Sequence, residues 1–481
     1  MLRDIAVVIF LTCIVCIMSQ NLFTSFDKLK PLITTEKELL GYVDEYIQNE
    51  EDKIEKIESL LSEIKKERGV KTDLGNPVQS YMLIRRLTRQ WVEMDELIGS
   101  NKNAEDYRLN IAMLKSSAGE SYPSEIDYQG AMDALLRLQD TYDLGVSDIA
   151  DGHIGRNKSS APLKAIDCFD LGVKAWEVST SENVCHWMHE AQSRLSSDTD
   201  YLIPNISTHM IECSKQQKKE EEEVLKLDPE VLTCKNYEAL CRGEDIGVKH
   251  ATNLFCRYNH YNKPRLFIRP AKEELVSHEP RVVLFHDALT DKETNLLIAK
   301  AKPQLRRAQI RKFAGSTTTI DSKTRISSNA WLPNINDELG LQSVLPRVQD
   351  YTGLSTDQRH TEPFQVANYG LGGFYKYHRD DYTEGIVEDT QGKRIATVLF
   401  YLSEVEAGGF TVFPELGIYI PPVKGSAAFW YNYLKNGKSD PDMLHAGCPV
   451  LLGEKWASNL WIHEYGQEFR RRCGLTEDDI Y

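Results

Sequence analysis

Between residues 281 and 463 the sequence breaks into short β-branched and aromatic runs, at 281–286, 364–369, 395–402, 410–413, 427–431 and 456–463, with Gly and Pro between them. Many short strands separated by turn signals predict a β-sandwich or jelly roll. The texture changes to this pattern near Tyr237. At 481 residues the chain is too long for one hydrophobic core, so two to three domains are expected.

The first half reads differently. Over 36–66, Leu40, Val43, Ile47, Ile54, Ile57, Leu61 and Ile64 alternate in steps of three and four, with Glu50 the one interruption. This heptad seam on a charged helix fits either a coiled coil or an amphipathic helix packed inside its own domain. Leu83, Leu87, Trp91 and Met94 share one face of a second helix, and Ala134, Leu135, Leu138 and Tyr142 mark a third. The stretch 145–162, rich in Gly, Ser and Asp, reads as a linker. Beyond it, Leu171-Gly172 followed by Ala175, then Trp187, Met188 and Ala191, and a terminal Asp228-Pro229 are tetratricopeptide-like features of a small helical binding domain. The charged run 218–223 is a solvated helix face.

Arg3, an apolar run over 5–18 and small or polar residues from Ser19 form the pattern of a secretory leader, residues 1–19. The run is short for a membrane span, and no other segment approaches one, so a luminal or secreted chain is expected. Of 10 cysteines, Cys13 and Cys16 lie in the leader; the other eight can form disulfides in an oxidising compartment, and none sits in a CxxC zinc pattern. The pairing of Cys168, Cys185, Cys213 and Cys234 stays open. Asn157 and Asn205 head glycosylation sequons. A net charge of −15 argues against a nucleic-acid partner.

The chemistry sits in Tyr375-Lys376-Tyr377-His378-Arg379-Asp380. On a strand, His378 and Asp380 point to the same face. With His445 they make two imidazoles and one carboxylate, the facial triad that holds non-haem iron(II) and leaves open positions for co-substrate and dioxygen. A surface His and Asp near a turn would give the same H-x-D; Lys455 adds weight. It follows His445 by ten residues in an otherwise apolar, aromatic strand, where an unpartnered lysine is costly. A cation there could anchor the distal carboxylate of a 2-oxo diacid whose other end chelates iron.

Gln365 through Tyr375, the H-x-D, Arg394-Ile395-Ala396-Thr397, Gly408-Gly409-Phe410-Thr411-Val412-Phe413-Pro414, Phe429-Trp430-Tyr431-Asn432, Trp461-Ile462-His463-Glu464 and Gly466 through Arg471 resemble the catalytic domain of collagen prolyl 4-hydroxylase α subunits. The likeness reaches back through Leu240-Cys241-Arg242-Gly243, the tetratricopeptide-like segment, 134–142 and Thr35-Glu36-Lys37. It implies a multidomain α + β chain: a helical N-terminal dimerisation domain (20–150), a tetratricopeptide-like peptide-substrate-binding domain (160–235), and a C-terminal double-stranded β-helix, or jelly roll (240–481, core about 360–465). It implies iron ligands at His378, Asp380 and His445, Lys455 on the 2-oxoglutarate carboxylate, Tyr369 hydrogen-bonded to the co-substrate, and Tyr375, Arg394 and Trp461 near the peptide. It also implies disulfides Cys241–Cys256 and Cys448–Cys473, ascorbate as reductant, O2 as second co-substrate, and an α2β2 tetramer with protein disulfide isomerase in the endoplasmic-reticulum lumen. The reaction implied is 4-hydroxylation of a peptidyl proline in a proline-rich or collagen-like polypeptide, giving succinate and CO2.

The chain departs from the family at Tyr377 and Arg379, where Pro and an aromatic residue are usual, and at Leu460, where a second lysine is usual. No tyrosine lies between Trp176 and Trp187, where the family's peptide-binding face is tyrosine-rich. These departures predict an altered substrate preference, extending to non-collagen proline-rich proteins. Two other classes compete with an enzyme: a catalytically degenerate adaptor keeping the fold, and a tetratricopeptide-type chaperone cofactor with an unrelated jelly-roll lectin domain.

Overall fold

The computed structural model describes residues 22–68, 90–118, 122–155, 157–158, 162–178, 181–195, 206, 209–210, 229–247, 254–311, 319–321, 323–333, 340–381, 392–476 and 479. The leader, Asn205, Cys213, and Leu83 and Leu87 lie outside them. Two compact units divide between Pro123 and Ser124, the second also taking Ser19–Asp27. Among the described residues no helix is long and apolar enough to cross a membrane.

The first unit is helical. Its described helices are α1 (Phe26–Arg68, whose first residues belong to the second unit), α2 (Trp91–Gly99) and α3 (Lys102–Ala118). The heptad seam of α1 splits into two lines. Ile64 is buried, Tyr46 sets its ring 5.6 Å from that of Tyr107 on α3, and Glu50 accepts a 3.1 Å hydrogen bond from Asn103. The one break in the seam thus faces a polar partner within the unit. Ile33, Leu40, Ile47 and Ile54, seven residues apart in succession, stay 71%, 62%, 48% and 54% exposed.

The second unit opens with α4 (Glu125–Tyr142), whose start is fixed by Ser124 and Asp127: the Ser124 amide donates to Asp127 Oδ2 at 3.0 Å. The stretch read as a linker instead holds α5 (Val146–Ala150), with Ile149 and Ala150 buried, and a two-residue ladder pairing His153–Ile154 with Asn157–Lys158. Its apolar residues, few but aligned, pack into the helical core of α4, α6 (Ala165–Val178) and α7 (Ser181–Arg194). Gly172 lets the two helices approach closely: a methyl group there would come within 2.9 Å of the end of the Met188 side chain, which would have to shift. The described chain resumes with α8 (Pro229–Cys241), while the helix expected to end at Asp228 falls outside the described residues.

The β region follows as β1 (Cys256–Asn259), β2 (Ala271–Ser277), β3 (Val282–His286), β4 (Arg306–Arg307), β5 (Ser328–Leu332), β6 (Phe364–Tyr369), β7 (Tyr375–His378), β8 (Arg394–Tyr401), β9 (Val405–Gly408), β10 (Thr411–Phe413), β11 (Ile418–Ile420), β12 (Ala427–Tyr431), β13 (His445–Gly447), β14 (Val450–Gly453) and β15 (Lys455–His463). A nine-stranded sheet has the order β1-β2-β3-β12-β8-β15-β6-β5-β4, and a four-stranded sheet the order β7-β13-β10-β11. All of their pairings are antiparallel. This is the expected jelly roll. One face of the large sheet packs on α9 (Asp291–Ala301) and α10 (Val344–Thr352) through Val366, Ala396, Val398, Phe400, Trp456 and Leu460. Leu460, the departure from the family's lysine, is therefore a core residue. The other face meets the small sheet through Tyr401, Phe413, Ile418 and Trp430.

The implied disulfides are corrected. Cys241 bonds to Cys448, across a sequence separation of 207, while Cys256 and Cys473 are free and exposed. The cause is packing: the end of α8 lies against the small sheet, so Cys241 and Cys448 share one apolar cluster with Leu240, Val412 and Ala446. Cys256 sits on edge strand β1, where its side chain is exposed. Cys185 is also disulfide-bonded. Peptide mapping without reduction is expected to recover Cys241 linked to Cys448, with Cys256 and Cys473 alkylated in the native protein. Cys448→Ser should cost about 2–5 kcal/mol in denaturant unfolding.

Candidate active site

Three neighbouring strands of the large sheet build one wall. On β8, Ala396, Val398 and Phe400 face the helices, so Thr397, Leu399 and Tyr401 face the small sheet. On β15, Trp456, Leu460 and Ile462 belong to the helix-side core, which turns Lys455, Ala457 and Asn459 into the cavity. On β6, Ala367 and Tyr369 line the same cavity. Tyr369 and Lys455 are direct cross-strand partners.

The small sheet supplies the opposite wall. His378 ends β7, His445 begins β13, and the two are register partners. Asp380 is not on the strand as the sequence pattern predicts; it lies in a bend after β7. It reaches the histidines because Thr397 Oγ1 donates to Asp380 Oδ2 at 2.8 Å. Each imidazole is oriented by its Nδ1, against the Lys376 carbonyl at 2.8 Å for His378 and the Met443 carbonyl at 2.9 Å for His445. Both Nε2 atoms then face Asp380, each 3.6 Å from one of its oxygens. That spacing is too long for hydrogen bonds. It suits three donors around an ion, and among the described residues these three form the one such group, with ligand atoms within 4.8 Å of one another.

Electrostatics keep Asp380 and His445 in metal-binding form. Burial alone would raise the Asp380 carboxyl, but the flanking imidazoles hold it well below the usual carboxylate range. Burial, reinforced by His378, pushes His445 down to about 4, so it is neutral at pH 7. The Trp430 and Phe413 rings lie 4.8 and 5.7 Å from that of His445, and Tyr375 stacks on His378 at 3.6 Å.

Lys455 is 3% exposed, and its Nζ donates to the Gly409 carbonyl at 2.6 Å. It lies 5.3 Å from the Tyr369 ring centroid, with no carboxylate in ion-pair range among the described residues. Burial lowers its pKa to about 7. A buried ammonium with no anion is a receptor for one.

Of the expected peptide contacts, Tyr375 lines the cavity and Arg394 and Trp461 do not. The Arg394 guanidinium pairs with Glu362, through Nη2 at 2.8 Å, and lies 4.1 Å over the Trp461 ring. His463 Nε2 joins Glu362 at 3.1 Å. Tyr377 turns from the metal group to Tyr237, with ring centroids 6.3 Å apart, and Arg379 pairs with Asp381. Sequence reasoning missed the roles of Thr397, of Asn432, whose Nδ2 donates to Thr397 Oγ1 at 3.0 Å, and of Glu362 and His463. Only Thr397 carried a usable signal, as the small polar residue on an apolar strand.

A sequence model of the prolyl 4-hydroxylase alpha-subunit N-terminal region matches residues 25–156, and one of the 2OG-Fe(II) oxygenase superfamily matches 364–463. Prolyl 4-hydroxylase subunit alpha-1 of Homo sapiens is 35% identical over 521 residues, covering 95% of this chain and 96% of its own. Subunit alpha-1 of Caenorhabditis elegans is 33% identical over 520 residues, covering 95% and 91%. The viral collagen prolyl hydroxylase vCPH from Paramecium Bursaria Chlorella virus-1, solved as a 2OG complex, is 28% identical, covers 38% of this chain and 94% of its own, and has a TM-score of 0.28.

A dianionic 2-oxo acid binding beside Lys455 would raise its pKa from about 7. Below pH 7 the lysine is charged with or without ligand, so affinity is flat. Above pH 7 the empty site is neutral and binding takes up a proton, so affinity falls by up to about tenfold per pH unit. Isothermal titration with 2-oxoglutarate in two buffers of different ionisation enthalpy should read that proton uptake, and Lys455→Ala should remove it.

Proposed function

The chain belongs to the prolyl 4-hydroxylase α-subunit family, and on that premise we propose how its residues divide the work of the family's reaction. The protein is a 2-oxoglutarate-dependent iron(II) dioxygenase that hydroxylates peptidyl proline, using iron(II), 2-oxoglutarate and O2, with ascorbate as the typical reductant. Bound iron supplies the oxidising chemistry, and the protein supplies placement and exclusion of water. His378, Asp380 and His445 hold the metal through two Nε2 atoms and a carboxylate oxygen. Thr397 engages Asp380 Oδ2, which leaves Oδ1 the freer donor. Lys455 takes the distal carboxylate of 2-oxoglutarate: Gly409 occupies one of its three hydrogens and two remain. Tyr369 hydrogen-bonds the same carboxylate from the neighbouring strand. Trp430, Phe413 and Tyr375 shield the imidazoles from water. The single observation that carries this assignment is the buried Lys455, without an anion among the described residues, in the cavity of the two-histidine, one-carboxylate group.

The peptide is held in an extended, polyproline-II-like form, gripped by Tyr375 and, at the rim, by the Arg394–Trp461 pair. With Arg394 already committed to Glu362, its part is the flat face it offers over Trp461 rather than a free charge. We assign residues 1–19 to a cleaved leader, 20–150 to a helical dimerisation region, 160–235 to peptide binding and 240–481 to catalysis. The chain works in the endoplasmic-reticulum lumen, carries glycans at Asn157 and Asn205, and joins protein disulfide isomerase in an α2β2 assembly. Arg379 and the scarcity of tyrosine around α6 and α7 favour proline-rich substrates other than long collagen repeats.

The exposed line Ile33, Leu40, Ile47 and Ile54 supports self-association through α1. Leu40→Glu with Ile47→Glu should shift sedimentation toward a smaller species while 2-oxoglutarate turnover per chain is retained. Incubated with a panel of proline-rich peptides, the purified protein should add one oxygen atom per modified proline by mass spectrometry, with equimolar succinate. His445→Ala should remove both, a loss of at least about a hundredfold. Succinate without peptide oxygenation across the whole panel would overturn the substrate class.

A further inference from the structure

We propose that residues 22–25 are a positioning strap that sets the co-substrate side of the active site from the far end of the chain; this rests on the reading that Tyr369 and Lys455 hold 2-oxoglutarate. Segments near a chain end are usually exposed and loosely held. Here Leu22, Phe23, Thr24 and Ser25 are all buried, at 2%, 8%, 0% and 0% exposure. They form a single 3-10 turn followed by α1, with no strand pairing of their own. Burial of four successive residues in so short an element requires a slot shaped to receive them.

The slot lies between α4 and the loop 370–374 that joins β6 to β7. On the α4 side, the Leu22 amide donates to Asp127, and the Phe23 ring fills the space beside Gly130, where a methyl group would come within 2.3 Å of the ring. On the loop side, the amides of Gly370 and Leu371 donate to the Thr24 and Phe23 carbonyls, both at 3.0 Å. A methyl group on Gly370 would lie 2.2 Å from the Phe23 oxygen, so the two backbones touch as closely as glycine allows. Thr24 Oγ1 meets Ser328 Oγ at 2.9 Å on β5, and Ser25 Oγ donates to Asn368 Oδ1 on β6. From the opposite side, the Arg137 guanidinium of α4 lies 4.3 Å over the Phe374 ring.

The clamped loop carries the site at both ends. Tyr369 precedes it, opposite Lys455; Tyr375 follows it, stacked on His378. Asn368, held by Ser25, also donates to Glu454 Oε1 at 3.2 Å, one residue before Lys455. The strap thus touches β6 directly and reaches Glu454, the residue before β15, through Asn368, without lining the cavity. Phe23 and Ser25 are positioning residues, and the slot explains why glycines stand at 130 and 370.

The test uses the full-length protein. KM for 2-oxoglutarate, kcat and the thermal midpoint are measured for Phe23→Ala, Phe23→Leu, Ser25→Ala and Lys455→Ala. Misplacement of the loop should raise KM for 2-oxoglutarate roughly tenfold in Phe23→Ala, with a smaller rise in Ser25→Ala. Phe23→Leu, which refills the slot, should restore KM toward the parent value. If Phe23→Ala does not accumulate folded, Ser25→Ala carries the same comparison. A raised KM in Lys455→Ala with unchanged KM in Ser25→Ala and any folded Phe23→Ala, whatever their thermal midpoints, would overturn the strap alone. Unchanged KM in Lys455→Ala would overturn the co-substrate reading and the strap with it.

Discussion

The period-two alternation of β6, β15 and β8 is the constraint on which everything else rests. Each strand places one set of side chains against α9 and α10 and the other against the small sheet. Val366, Leu460 and Val398 fill the first layer; Tyr369, Lys455, Asn459 and Leu399 face the second. A slip of one residue in β15 would bury Lys455 among helices and send a core side chain into the cavity, and a slip in β6 or β8 would do the same to Tyr369 or Thr397. The hydrophobic layer therefore does two jobs: it stabilises the sheet, and it fixes which face each polar side chain occupies.

The polar residues so placed are all costly to bury, and the structure offsets the cost locally. Asp380 is compensated by Thr397 and two imidazoles, and both imidazoles are turned by backbone carbonyls. Glu362 is compensated by Arg394 and His463, which hold its carboxyl below the usual range although burial opposes this. Lys455 has a carbonyl and two aromatic faces, Tyr369 and Tyr401, in place of a carboxylate. That difference separates groups that are structurally complete from one that lacks its counter-charge.

The jelly roll, the pairing of His378 with Asp380 and the burial of Lys455 are legible in the sequence because each is tied to a local pattern: alternation, an H-x-D, a lysine in an apolar strand; His445, distant in sequence, joins them in one cluster. What failed were inferences across distance. The pairings Cys241–Cys256 and Cys448–Cys473 come only from the family resemblance, and the α8 packing that joins Cys241 to Cys448 is tertiary and leaves no local trace. Asp380 was assigned to a strand that ends at His378, since a bend two residues long has no periodicity to read. The 145–162 stretch looks like a linker by composition, yet Ile149 and Ala150 suffice to dock it. In α1 the seam is part packed and part exposed. Glu50 bonds to Asn103 inside the unit, while the line through Leu40, Ile47 and Ile54 is uncovered. The burial of Phe23 to Ser25 had no signal beyond Gly130 and Gly370, whose purpose appears only when the strap lies across them.

One feature of strand order governs how the protein can be made. Among the described residues β15 is the last strand in sequence, and it lies in the middle of the large sheet, with β8 on one side and β6 on the other. Until it arrives, β6 and β8 face each other across an unfilled gap with their edges unpaired. The N-terminal helices can form early, but this sheet cannot close until residues 455–463 are available to pair, and the exposed edges in the interval are a hazard that calls for chaperone cover.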